Sequence, residues 1–195
     1  MNYTQEELQR SSHESAFQLY ATYYLYAIRA RNKEKYIQAI TLLGFLVPVM
    51  VAGLVISYSY TGTFAKLYLQ LLAPVALVQL ILSALALIYK WDDKRNYYLE
   101  SAISNRQLYD QFTHLAKFPH PEMKDNTHDF EILIYKSRAR EDQDDKYPLT
   151  DKELRRGMRY ALRQYQKACS GCGVVPTSME STDCNVCGKF NFYNV

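Results

Sequence analysis

Apolar and polar positions follow three different rhythms along this chain. In the first 36 residues, apolar or small side chains recur at Leu8, Ser12, Ala16, Leu19, Tyr23, Ala27 and Ala30. That three-to-four spacing is one face of a helix. Thr4-Gln5-Glu6-Glu7 gives the helix a capping-box start. No Gly or Pro interrupts residues 3–43. The rhythm then vanishes, because neither Ile37 to Ser59 nor Leu67 to Tyr89 contains a charged residue. Each run is 23 residues long, roughly 35 Å as a helix against about 30 Å of bilayer hydrocarbon. Two buried core helices are the plain alternative, but uncharged runs of this length usually mark membrane spans. The pattern predicts a hairpin of two transmembrane helices turning near Tyr60-Thr61-Gly62-Thr63.

A looser stripe of Leu99, Ile103, Leu108, Phe112 and Leu115 predicts a third helix from Trp91 to about Lys117. It should pack antiparallel on the N-terminal helix and break at Phe118-Pro119-His120-Pro121. Residues 128–140 read as a short helix, and Glu141 to Asp145 as an acidic linker. Thr150-Asp151-Lys152-Glu153, a second capping box, opens a helix to about Lys167. The expected fold is an all-α membrane protein: a two-helix transmembrane hairpin extended by cytosolic helices, with a small zinc-ribbon-like tail. The expected regions are a cytosolic helix (1–36), the hairpin (37–89), a cytosolic helical region (90–150), and a basic helix with a metal-binding tail (151–195).

Composition agrees with concentrated apolar runs. Hydrophobic residues make up 48% of the chain, yet mean hydropathy is −0.30. The first run begins too far from the start for a cleaved signal. Arg29, Arg31, Lys33 and Lys35 precede it, and Lys90, Lys94 and Arg95 follow the second. The positive-inside rule then places both termini in the cytoplasm.

All four cysteines lie in the tail, at Cys169, Cys172, Cys184 and Cys187. In a reducing compartment the spacing CxxC-x11-CxxC points to metal rather than disulfides. Four thiolates fill a tetrahedral site and leave no open position for catalysis. Structural zinc is the expected ion, with a rubredoxin-like iron site as the alternative. Gly173 and Gly188 follow the second cysteine of each pair and relieve crowding there. Lys189 to Tyr193 could form a short strand. His13, His114, His120 and His128 are scattered and read as ordinary surface or packing residues. There is no GxSxG, P-loop or HExxH, so an enzyme is not expected.

Two faces invite a functional reading. On the helix after Thr150, Leu154, Met158, Ala161 and Tyr165 fall on one side. Lys152, Arg155, Arg156, Arg159, Arg163 and Lys167 gather on the other. That one-signed face suits phosphates of a nucleotide, single-stranded DNA or lipid headgroups; a solvated face, or one paired with the acidic linker, is the alternative. In the second run, Ala73, Ala76, Gln79, Ser83, Ala86 and Lys90 keep a helical rhythm. Small and polar residues in lipid either pack helices or line a water-filled pore. Two spans cannot enclose a pore, so conduction would require a homo-oligomer, a tetramer or similar.

The hairpin combined with the cysteine spacing resembles the SLATT group, two-transmembrane effectors of bacterial antiphage defence, and within it a mobile-element subset with a CxxC-x11-CxxC tail. The resemblance implies an oligomeric pore or ion channel of the bacterial inner membrane that breaches that membrane on infection. It also implies a nucleotidyltransferase partner whose nucleotide or oligonucleotide signal gates the pore. The rival reading is a non-conducting membrane anchor that binds a partner or nucleic acid through the zinc tail.

Overall fold

A computed structural model describes residues 3–57 and 63–190, without the side chains of 54, 55, 57, 63–69 and 71. Among the described residues there are five helices and no strand: α1 (Gln5–Ser57), α2 (Thr63–Ile88), α3 (Trp91–Lys117), α4 (Met123–Asp144) and α5 (Asp151–Gln164). The predicted turn at 60–62 and most of the predicted strand at 189–193 lie outside the described residues; Lys189 and Phe190 are not in a strand. The chain divides into two units, one of residues 1–29 with 97–195 and one of 30–96.

The first unit is built around the N-terminal part of α1. Its cap forms as predicted: the Thr4 hydroxyl accepts from the Glu7 N–H at 3.3 Å, and the Thr4 N–H donates to Glu7 Oε2 at 2.9 Å. Leu8, Ala16 and Leu19 pack with Leu108, Phe112 and Leu115 of α3 and Phe130 and Leu133 of α4. Gln9 reaches the Ala116 carbonyl, Tyr20 meets Tyr109, and Tyr26 meets Tyr98, so α1 and α3 run antiparallel. Beyond Leu19 the buried stripe departs from the predicted one. Tyr26 and Leu25 are buried, whereas Tyr23 and Ala27 are only half-buried. Leu25 explains part of this shift, because it lies against Gly157 of α5.

The inward face of α3 also differs from its apolar stripe. Leu99 and Ile103 are exposed, and Ser101 and Asn105 are buried. The reason lies in α4, which extends past residue 140 and takes the expected acidic linker into its last turn. Asp144 there is buried and accepts from Ser101 Oγ at 2.7 Å, Asn105 Nδ2 at 3.0 Å and Arg140 Nη2 at 2.6 Å. A buried carboxylate needs such donors, so the helices turn polar side chains toward it.

The second unit contains the hairpin helices. Lys33 sits 4.9 Å over the Trp91 ring, the Tyr36 and Trp91 rings are tilted at 6.1 Å between centroids, and Glu34 pairs with Arg95. These contacts join the two flanks of the apolar runs. Gly44 of α1 faces Gln79 of α2, with Gln79 Nε2 3.2 Å from where a Cβ at Gly44 would stand. The remaining faces are apolar and open: Phe45, Val49 and Met50 on α1, and Leu77, Leu80 and Leu87 on α2, are half or more exposed. Among the described residues, α1 holds one stretch long and apolar enough to cross a membrane, with 6% of it buried. Of the second predicted span, the described stretch Leu72–Ile88 meets that measure only together with the helix that follows it.

Candidate metal centre

The tail supplies the clearest chemistry. α5 begins with the predicted capping box: Glu153 N–H donates to Thr150 Oγ1, and Thr150 N–H donates to Glu153 Oε2. The same carboxylate takes a fork from Arg29, at 2.7 Å to Oε1 and 2.6 Å to Oε2. α5 is thus locked to α1 at its first turn. It is also seated closely, since a Cβ at Gly157 would come within 2.7 Å of Leu25 Cδ1 and 3.2 Å of the Ala21 carbonyl. At its far end Leu162 is buried with Cys169 and Cys187, beside Phe17, Met158 and Val186.

The two CxxC turns fold alike. Gly173 N–H donates to the Cys169 carbonyl at 2.8 Å, and Gly188 N–H to the Cys184 carbonyl at 3.0 Å. Gly171 N–H points at Cys169 Sγ and Val186 N–H at Cys184 Sγ, both at 3.4 Å. Three glycines are forced. Gly173 has φ +70°, which other residues rarely adopt. A Cβ at Gly188 would lie 2.1 Å from the Thr182 carbonyl, and one at Gly171 would lie 2.7 Å from Val186. The sequence pattern marked the first two; Gly171, inside the first turn, carried no such signal.

The four sulfurs lie within 4.8 Å of one another. Cys169–Cys184 and Cys172–Cys187 are each 3.9 Å apart. A metal–sulfur bond of about 2.3 Å in a tetrahedron sets its sulfurs about 3.8 Å apart, so the donor set fits a metal ion. A disulfide, at about 2.05 Å, does not fit. Cys169 and Cys187 are buried and Cys172 is exposed. N–H groups of Cys187 and Val186 lower the Cys184 thiol to about 6, whereas burial pushes Cys187 up to about 12.

The basic residues of α5 separate into different surroundings. Lys152 and Arg163 are exposed. Lys167 is exposed with its ammonium 5.3 Å over the Phe17 ring. Arg155 Nη2 donates to the Lys189 carbonyl at 3.5 Å, and Arg156 is half-buried. Arg159 does not share that surface: it is 6% exposed and turned into the cysteine tail. On the other face Ala161 is buried as predicted, but Leu154 is 49% exposed and Gly157 and Leu162 take its place inside. Of the proposed pore residues, Ala76, Gln79 and Ser83 line a groove between α2 and Val47, Val51 and Ile56 of α1. Ala86 is half-buried, and Lys90 is exposed with φ +50° just before α3.

Among the described residues the chain is all-helical, with four paired cysteines against its last helix that could hold a metal ion and one apolar helix long enough to cross a membrane. Residues 9–190 match the family described as Mobilome CxxCx(11)CxxC protein, and the chain belongs to that family. No curated protein and no solved structure matches it.

Proposed function

We propose that residues 37–89 enter the bacterial inner membrane as a two-span hairpin, with the helical, zinc-stapled unit in the cytoplasm. The open apolar surface of α1 and α2 carries this reading. Phe45 is 68% exposed and Leu87 77% exposed, and contiguous apolar surface of that kind calls for lipid or another subunit. Arg31, Lys33, Lys35, Lys90, Lys94 and Arg95 flank the runs, which fits a base on the cytoplasmic side. Following the SLATT resemblance, copies assemble into a pore that depolarises the cell, gated by a nucleotide signal from a nucleotidyltransferase partner. The exposed cations Lys152 and Arg163 are the phosphate contacts on this reading.

One observation favours the rival, a non-conducting anchor. Gln79 faces Gly44 within its own hairpin, as a polar residue does when it packs a seam rather than a water channel. Expression in bacteria with a membrane-potential dye separates the two. Depolarisation that Gln79→Leu or Ser83→Leu alters supports the pore. An intact potential, with the chain still in carbonate-washed membranes, supports the anchor. Elemental analysis of the purified chain decides zinc against iron.

A further inference from the structure

Arg159 is the odd member of the buried charges. Arg29 and Arg140 are each paired with a carboxylate, Glu153 and Asp144. Among the described residues no ion pair includes Arg159, although it is only 6% exposed. Its guanidinium instead points at the cage. Nε donates to the Ser178 carbonyl at 2.8 Å. Nη1 lies 3.4 Å from the Cys187 carbonyl, 3.5 Å from Thr182 Oγ1 and 3.9 Å from Cys187 Sγ. A buried cation without an anion is unfavourable. A divalent ion held by four thiolates carries two net negative charges, and it would sit where this cation points.

We propose that Arg159 is the counter-charge of the metal site, a positioning residue that offsets the tetrathiolate charge and holds Cys187 in place. The one-signed stripe of α5 then has an intramolecular purpose at its centre. Arg159 serves the cage, and Arg155, one turn earlier, reaches the Lys189 carbonyl just past it. Only the outer cations remain for an external ligand. The proposal rests on the metal reading of the cysteines and is independent of whether the hairpin conducts.

The test uses the full chain in detergent, titrated with Co²⁺ against a competing chelator. The thiolate-to-cobalt absorption and the rise in Tm on loading are followed together. Arg159→Gln keeps a donor and removes the charge; Arg159→Lys keeps the charge. R159Q is expected to weaken Co²⁺ binding about 10–100-fold, the range for outer-shell partners of metal ligands. It should also shrink the Co²⁺-induced rise in Tm, while R159K stays near wild type. R163Q, on the exposed side, should match wild type. R159Q binding as tightly as wild type would overturn the proposal. So would R159K losing as much as R159Q, or R159Q lowering Tm equally with and without Co²⁺. A wild-type chain that takes up no Co²⁺ would instead sink the metal reading itself.

Discussion

At the scale of single residues, burial decides which charges matter. The Arg140–Asp144 pair is 6% and 10% exposed at its side chains, whereas Arg10–Glu14 is 83% and 56% exposed. Breaking a buried pair strands the remaining charge and costs about 3–5 kcal/mol; an exposed pair is worth about 0–1 kcal/mol. Asp144→Asn should therefore lower the Tm strongly and Glu14→Gln barely, as differential scanning calorimetry would show. Glu153 makes the case through pH. Burial alone would raise its pKa, but the Arg29 fork and the Thr150 donors outweigh that and hold it below its ordinary 4.5. A depressed folded-state pKa gives stability that is present above the unfolded value and lost as pH falls through the folded one. The Tm gap between wild type and Glu153→Gln should thus be widest near neutral pH and narrow below about pH 4.5. A gap that stays constant down to strong acid would refute this account. These roles were hidden in the sequence. Glu153 read only as a local cap and Arg29 only as a topology charge, because the bond joining them spans 124 positions.

At the scale of elements, much of the helical layout was legible, because caps and breakers are local chemistry. Thr4 and Thr150 start their helices, and Phe118-Pro119-His120-Pro121 follows the end of α3. Less legible was which face each helix buries. The acidic end of α4 looked solvated, and Glu141, Asp142 and Asp145 are exposed, but Asp144 turns inward to Arg140, Ser101, Asn105 and Tyr97. α5 presents Gly157 inward, a residue that carries no signal in an apolar pattern. Gly157→Ala gains about 1 kcal/mol of helix propensity. It also presses on Leu25 and on backbone, where overpacking costs about 1–3 kcal/mol. The expected net change is destabilising. In a double-mutant cycle with Leu25→Ala, the penalty should fall by about 0.5–3 kcal/mol of coupling. Additive effects would show that the two helices are not in contact there. Of the candidate metal centre, the four cysteines and two of the three forced glycines were readable from spacing. Arg159 was not, since a charge on a charged face looks like any other until its burial is known.

At the scale of the molecule, the membrane reading turns on one surface. Phe45→Lys places a charge on the open apolar surface of α1. At the centre of a span that substitution costs about 2.5–3.5 kcal/mol of insertion. The variant should shift out of carbonate-resistant membranes when expressed in bacteria. A protein that instead became more soluble and better folded would mean that the run is not a span. Metal removal belongs to the same scale. A tail with no strand among its described residues is gathered around the cage, with Leu162 and Arg159 of α5 holding it from one side. Chelation should open the 169–190 segment to limited proteolysis while the helices of residues 91–164 persist by circular dichroism.

The first unit joins residues 1–29 to residues 97–195, so the two stretches that make its core leave the ribosome separated by the whole of the apolar region. Tyr20, Leu25 and Tyr26 have nothing to bury against until α3 and α5 have been made. The fourth thiol, Cys187, comes later still. A nascent chain therefore carries an aromatic, sticky helix without its partners while the apolar runs are being made. Capture of an ion by the four thiols has to wait for that point, and chains stalled before it would be natural clients for chaperones and proteases.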